Sequence, residues 1–182
     1  MAEAAAPAPD TLETAAIRAV LKTQYGAALA MLGQTIERCP DALWLDASYP
    51  NAYWHVAYHA AFFVHLYLHP DRESYRFWEK HRPEYQFLGT VPTPPHRPPN
   101  IGEPYTRSEV LEYVKLCEGL LDAAIDRMDL RASESGFPWY RMSKLEHQLV
   151  SLRHVQHHTA QLVDRLRTRH GIGSEWVGTP QR

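Results

Sequence analysis

Cysteine is scarce in this sequence: the 182 residues include two, Cys39 and Cys117. The two lie far apart and form no CxxC pair, so neither a disulfide framework nor a thiolate metal site is indicated. Free cysteine is among the residue types most often buried in proteins. Both residues are therefore expected to be small apolar members of the core.

Long apolar runs and an excess of one charge are also missing. No stretch reaches the roughly 18 consecutive apolar residues typical of a membrane-spanning helix. Lys and Arg number 19 against 21 Asp and Glu, for a net charge of -2, whereas binding to nucleic acid calls for a basic excess or stripe. We therefore expect neither a membrane nor a nucleic acid as partner.

The first residues lack the features of a secretory signal. Residues 1–9 are rich in Ala and Pro, carry Glu3 where a signal peptide would be basic, and contain no apolar core segment. We expect this segment to be disordered, the remainder, 10–182, to form one domain, and the protein to be cytoplasmic.

Apolar and polar residues nowhere alternate with a period of two over the length of a strand. Apolar residues recur instead at helical spacing. The third helix should begin at a capping box, Thr106 to Glu109, and Pro40, Pro70 and Gly171 mark the ends of other helices. The pattern predicts four helices, over 10–39, 52–68, 106–130 and 143–170.

Residues 71–105, between the second and third predicted helices, are rich in proline and aromatic residues. A connection this long is uncommon in a compact domain and often covers a binding site. It could equally be an extended strap that covers the core with its aromatic side chains. The fold predicted from these features is all-α, a four-helix bundle with a long Pro/aromatic-rich crossover between helices 2 and 3.

Histidine is abundant, with 11 residues. His154 and His158 lie four apart on the last predicted helix, so their side chains project within about 40° of each other. His157 is turned about 100° away from His158. The pair lies beside the apolar stripe of Leu145 and Leu149, and this position leaves open whether it faces the core or the edge of the solvent.

A second histidine pair, His55 and His59, has the same spacing in the second predicted helix and shares its face with Phe62 and Phe63. A buried imidazole needs a hydrogen bond or a metal ion, and two such pairs on two apolar helices favour a metal. Neutral imidazole suits zinc, nickel, copper and iron, and three protein ligands with open positions are typical of catalytic sites. Since the chain has no HExxH and no Glu-x-x-His motif, we predict a mononuclear site made of histidine alone.

Two segments resemble the DinB/YfiT-like superfamily of metal-binding four-helix bundles. They are Trp54-His-Val-Ala-Tyr-His59-Ala-Ala-Phe-Phe and Arg153-His154-Val-Gln-His157-His158-Thr-Ala-Gln161-Leu. The resemblance covers about residues 12 to 170, with segment 71–105 longer than in a minimal member. It implies three metal ligands, one from the second helix and two from the last, followed by a Gln: His59, His154 and His158, with Gln161 after them. His55 is the alternative to His59, and His157 would be an outer or surface group.

The resemblance also implies an activity. Characterised relatives include thiol-dependent transferases and isomerases, so we expect a divalent-metal-dependent enzyme acting on a small molecule. It would be a thiol-dependent transferase or a related hydrolase, with zinc or nickel as cofactor and a low-molecular-weight thiol as cosubstrate. A homodimer is expected on the same ground. The alternative is a non-catalytic metal-binding bundle that acts in stress response or dimerisation.

Some residues near the predicted site have less specific roles. No catalytic residue beyond the metal ligands is assigned. Four aromatic residues are either lining residues of a pocket or ordinary core: Tyr53, Tyr58, Trp78 and Tyr140. In the tail after the last helix, Trp176 is expected to dock on the bundle.

Overall fold

The computed structural model of the protein describes residues 12–179. The segment 1–9, predicted to be disordered, and the first two residues of the first predicted helix, Asp10 and Thr11, lie outside this range. Within it the regular structure is entirely helical, which confirms the all-α class. The five helices are α1 (Leu12–Glu37), α2 (Asp41–Trp44), α3 (Tyr53–Tyr67), α4 (Arg107–Arg127) and α5 (Lys144–His170).

Four of these helices are long and pack around a common core. Helix α1 packs against α4 and α5, and α3 packs against the same two helices. Tyr25, Tyr58 and Tyr113 are among the largest side chains that are fully buried between them, and Cys39 and Cys117 are buried as predicted. In the described part of the chain, no helix combines the length and the hydropathy needed to cross a membrane.

Local hydrogen bonds explain where the long helices begin and end. Thr106 caps α4 through both bonds of the predicted capping box, with the Glu109 backbone N–H donating to the Thr106 hydroxyl and the Glu109 carboxylate accepting from the Thr106 backbone. The Ser143 side chain accepts from the backbone N–H of Glu146 at the start of α5, and Gly171, with φ of 65°, ends that helix in the left-handed conformation. These helix boundaries agree with the prediction to within a few residues.

The short helix α2, between the first and second predicted helices, was not predicted. Pro40 closes the previous helix and occupies the N-cap position of α2, where its missing N–H leaves no bond unmade. Trp44, at the end of α2, is buried and its indole N–H donates to the Tyr105 carbonyl at 2.9 Å. This bond ties α2 to the chain just before α4.

Segment 71–105 contains no helix or strand, yet several of its aromatic side chains form part of the core. Tyr75, Trp78 and Tyr85 are buried, and the Trp78 ring stacks on Tyr113 of α4 with centroids 4.5 Å apart. The Tyr105 hydroxyl donates to the Lys80 carbonyl at 2.6 Å. This packing agrees with the interpretation of the segment as a strap over the core.

The prediction that Trp176 docks on the helices is wrong, since its side chain is 81% exposed. The tail is held by polar contacts instead. Arg38, directly after α1, donates to the Gly173 carbonyl at 2.9 Å and to the Glu175 carboxylate at 2.7 Å. The backbone N–H of Glu175 in turn donates to the Gln34 side chain at 3.2 Å.

Candidate metal centre

The orientation of α5 about its own axis determines whether its histidines face the core. The predicted apolar stripe faces the core only in part, because Leu145 packs against the core whereas Leu149 is 50% exposed. The side chains that α5 buries in its second half are instead centred on Val155, His158 and Leu162. This rotation turns His158 inward and leaves His154 half-buried.

Helix α3 supplies the opposite wall of the site. Nearly all of its residues are buried, His59 among them with 9% exposure. The His59 ring lies 4.5 Å from the His158 ring, and Phe63, one turn further along α3, lies 5.1 Å from the His154 ring. The contact between α3 and α5 therefore brings together histidines that are about 95 residues apart in sequence.

The three imidazoles converge through their Nε2 atoms. Nε2 of His154 lies 3.0 Å from Nε2 of His59 and 3.2 Å from Nε2 of His158, and the three possible ligand atoms all lie within 4.8 Å of one another. Nitrogen ligands of one tetrahedral zinc ion, at bond lengths of about 2.0 to 2.1 Å, lie about 3.3 Å apart. His59, His154 and His158 could thus hold a metal ion, and they are the three residues predicted to do so.

Hydrogen bonds to Nδ1 set the tautomer of two of these rings. His59 donates from Nδ1 to the Gln86 carbonyl at 2.6 Å, and His158 donates from Nδ1 to Oε1 of Gln161 at 2.9 Å. Because each acceptor is an oxygen without a proton, the ring proton is on Nδ1 and the Nε2 lone pair is available to a metal. Histidine ligands in metalloproteins usually have this arrangement.

Gln161 and His157 extend this set of hydrogen bonds to the surface. The Gln161 amide N–H donates to Nε2 of His157 at 3.1 Å, and both residues are exposed. His157 therefore lies outside the group of three, as the helical spacing predicts. Its contact with Gln161 fixes the orientation of the amide that holds His158.

The three imidazoles are neutral at pH 7. Burial, followed by the nearby His158 and His154, holds the pKa of His59 well below its usual value. Burial, followed by the nearby His158 and His157, lowers the pKa of His154 to about 4. Burial also lowers the pKa of His158. Metal binding requires deprotonated imidazole, so no proton has to be displaced near neutral pH.

His55, the alternative ligand, lies outside the group. Its Nε2 bonds to the Tyr85 carbonyl at 2.8 Å, and its ring stacks on Trp54 with centroids 4.9 Å apart. Of the four aromatic residues considered as possible pocket-lining residues, three are buried in the core and one is half-buried. The buried ones are Tyr53, Tyr58 and Trp78, and the half-buried one is Tyr140.

One neighbour of the site was not found from sequence. The Gln86 carbonyl that orients His59 is a backbone group of segment 71–105, and a backbone carbonyl leaves no side-chain signal. Phe63, which the sequence places on the same helix face as His59, contacts both His59, at 4.8 Å, and His154, at 5.1 Å.

Comparison with known proteins adds no family to this description. No family model matches the chain, and no curated protein and no solved structure matches it.

Proposed function

We propose that this protein is a divalent-metal-dependent enzyme acting on small molecules, a thiol-dependent transferase or a related hydrolase. We also propose that its fold is the four-helix bundle of the DinB/YfiT-like superfamily, with segment 71–105 as the crossover. The observation that carries the proposal is the convergence of three neutral imidazole nitrogens, from His59, His154 and His158, on one point.

The donor set fits zinc or nickel. Three neutral nitrogen ligands suit these borderline cations and leave positions for further ligands. Among residues 12–179, no carboxylate or thiolate belongs to the group, so the protein ligands would leave the positive charge of the cation unreduced. When bound, such a cation would act as a Lewis acid that lowers the pKa of a thiol or a water molecule and so favours the nucleophilic form.

The side chains around the group have separate roles in this proposal. Gln86 and Gln161 hold His59 and His158 with their lone pairs directed to the common point. The Phe63 ring, in contact with His59 and His154, presents an apolar surface beside them that would limit the access of water to a bound substrate. The preference for a thiol comes from the sequence motifs that resemble the superfamily.

The second candidate is a non-catalytic metal-binding bundle that acts in stress response or dimerisation. One observation favours it: within the described residues, no Asp or Glu joins the three histidines. An enzyme of this kind usually places an acid or a base next to the reacting atoms. If no such group serves the site, the protein would bind an ion without turning over a substrate.

Metal analysis of protein purified without a His-tag tests the site. We expect about one equivalent of zinc or nickel in the wild type and in a His170→Ala control, which removes an exposed histidine. The double variant His154→Ala, His158→Ala should lose the metal. Equal metal content in the wild type and the double variant would refute the metal site.

A milder variant tests the role of the hydrogen bonds. Gln161→Leu removes the acceptor of the His158 Nδ1 proton, and loss of such a bond typically lowers metal affinity by about 10- to 100-fold. Competition with a chromophoric chelator measures the change. An unchanged affinity would show that Gln161 does not orient His158.

Cobalt substitution separates the two candidate functions. If the enzyme proposal is right, glutathione or cysteine added to the cobalt-substituted protein should shift its visible absorption, because a sulfur ligand changes the spectrum. A cobalt spectrum that responds to neither thiol would contradict the thiol-dependent transferase and favour the binding protein.

A further inference from the structure

A cavity of about 710 Å³ lies between the end of α3, residues 76–79 of the long segment and α4. It opens to the solvent, and none of the three histidines of the candidate metal centre lines it. Binding sites for small molecules typically occupy about 300 to 1,000 Å³, so a small molecule fits in this space. Residues from all three parts line it, among them His65, His69, Arg76, Phe77, Lys115 and Leu116.

Part of the lining is an apolar surface that the rest of the protein leaves uncovered. Phe77, which is 51% exposed, lines the cavity together with the partly buried Leu116 and Leu120. The Phe77 ring is held by its neighbours: it stacks on the His81 imidazole with centroids 4.1 Å apart, and the Tyr75 ring contacts it edge-on at 5.1 Å. An apolar group that covers this surface removes it from water, and this burial favours binding.

Two cations at the cavity have no carboxylate partner. Within residues 12–179, neither the Arg76 guanidinium nor the Lys115 ammonium forms an ion pair, and both residues are exposed. Arg76 donates to the backbone carbonyls of Glu73 and Tyr75 at 2.8 Å and 3.0 Å. Both bonds use the Nη1 atom, so the N–H groups on Nη2 and Nε remain for a ligand.

The acidic residues of the lining do not cancel this positive charge. Glu79 and Glu112 line the cavity, and both lie near Lys80. The Lys80 ammonium donates to the Glu112 carboxylate at 2.5 Å. This hydrogen bond, together with the charges of Glu112 and Glu79, raises the pKa of Lys80. With Arg76 and Lys115, three cations and two carboxylates surround the cavity, and the excess charge is positive.

The two histidines of the cavity do not make it a metal site. The His65 and His69 rings lie 5.2 Å apart, but among the described residues no third histidine, cysteine or carboxylate lies close enough to complete a metal-binding group with them. Arg76 and Lys115 would also repel a cation. The last four carbonyls of α3, which could attract a cation, each accept a hydrogen bond within the protein. The cavity therefore favours an anion.

We propose that this cavity binds a small organic carboxylate with an apolar body. Arg76 and Lys115 bind the carboxylate group, and the apolar body covers Phe77, Leu116 and Leu120. A guanidinium forms paired, charge-assisted hydrogen bonds with a carboxylate, and the ammonium adds a second positive charge. The site is separate from the candidate metal centre, so its occupancy does not depend on a metal ion.

Titration of the metal-free full chain with phenylacetate, followed by NMR of the backbone amides, tests the proposal. Removal of metal prevents the carboxylate from binding to an ion at the candidate metal centre. We expect saturable shifts of the amide signals of residues 76–79 and 112–120. The neutral analogue phenylacetamide should bind at least about tenfold more weakly, because it lacks the charge. The absence of saturable shifts in these residues, or equal affinity for the two compounds, would overturn the proposal.

A variant without the two cations tests their role. The double variant Arg76→Gln, Lys115→Gln should bind phenylacetate at least about tenfold more weakly and phenylacetamide as the wild type does. The matched control, Arg153→Gln, Arg167→Gln, removes two exposed cations of α5, a helix that does not line the cavity, and should bind phenylacetate like the wild type. Equal affinity of the wild type and the first variant for phenylacetate would refute the site. If that variant does not fold, the comparison of the two compounds on the wild type decides.

Discussion

Mild acid should destabilise this protein, because histidines are buried in their neutral form. Burial and the neighbouring His69 lower the pKa of His65 to about 4, and burial and Lys144 lower the pKa of His147 to about 4. In an unfolded chain a histidine has a pKa of about 6.5. Between about pH 6.5 and pH 4 the unfolded chain therefore binds protons that the folded chain does not, and stability falls as the pH falls.

The size of the effect follows from these shifts. At pH 4.5, a histidine with a pKa of about 6.5 when unfolded and about 4 when folded lowers the free energy of unfolding by about 2.5 kcal/mol. His65 and His147 together account for about 5 kcal/mol, which equals the lower end of the range of about 5 to 15 kcal/mol for ordinary domains. His81, half-buried and with its pKa also lowered to about 4 by burial, adds to the same trend.

Urea unfolding followed by circular dichroism, in the presence of a chelator and at about pH 7 and about pH 4.5, measures this difference. An exposed serine provides the control, since Ser133→Ala should leave the pH dependence unchanged. His147→Phe should reduce it, because one of the two most strongly buried titrating groups is gone. If the free energy of unfolding of the wild type were the same at both pH values, the assignment of buried neutral histidines would be wrong.

Three substitutions test the backbone and the caps, again by urea unfolding. Gly136→Ala should destabilise the protein by more than about 1 kcal/mol. Gly136 has φ of +82°, and an added Cβ would lie 2.2 Å from the Pro70 carbonyl oxygen. Wild-type stability in this variant would contradict the turn geometry. Gly33→Ala in α1 meets nothing within 4 Å, and should stabilise the protein by about 0.5 to 1 kcal/mol through helix propensity, so a loss would show an unrecognised contact. Thr106→Ala should cost about 1 kcal/mol because the hydroxyl that accepts from the Glu109 backbone N–H is lost, and no change would mean that this bond of the capping box does not stabilise α4.

The helix boundaries could be predicted because they depend on neighbouring residues. The capping box at Thr106, the cap at Ser143 and the stop at Gly171 each involve groups within a few residues of one another. Helix α2 escaped prediction since a helix of four residues is too short to show a period. Trp176 was placed wrongly because the contacts of the tail are the polar ones made by Arg38, which hydrophobicity does not indicate.

The rotation of α5 could not be read from its apolar residues. Gln148 is buried because its partners, Tyr25 and Tyr67, come from two other helices, and such distant bonds leave no local pattern. Once this polar side faces the core, Leu149 must point outward. The inward position of His158 follows from the same rotation of α5. The positions of the leucines alone would place the histidine pair at the solvent edge.

The choice between His55 and His59 depends on the backbone of segment 71–105. Both histidines lie on one face of α3, and each bonds to a carbonyl of that segment. His55 uses Nε2 for the Tyr85 carbonyl, whereas His59 uses Nδ1 for the Gln86 carbonyl. His59 alone of the two therefore keeps its Nε2 lone pair free to meet His154 and His158. The two histidines differ in role because the adjacent carbonyls of Tyr85 and Gln86 bond to different ring nitrogens. The positions of these carbonyls depend on the backbone, which the spacing of the two histidines does not encode.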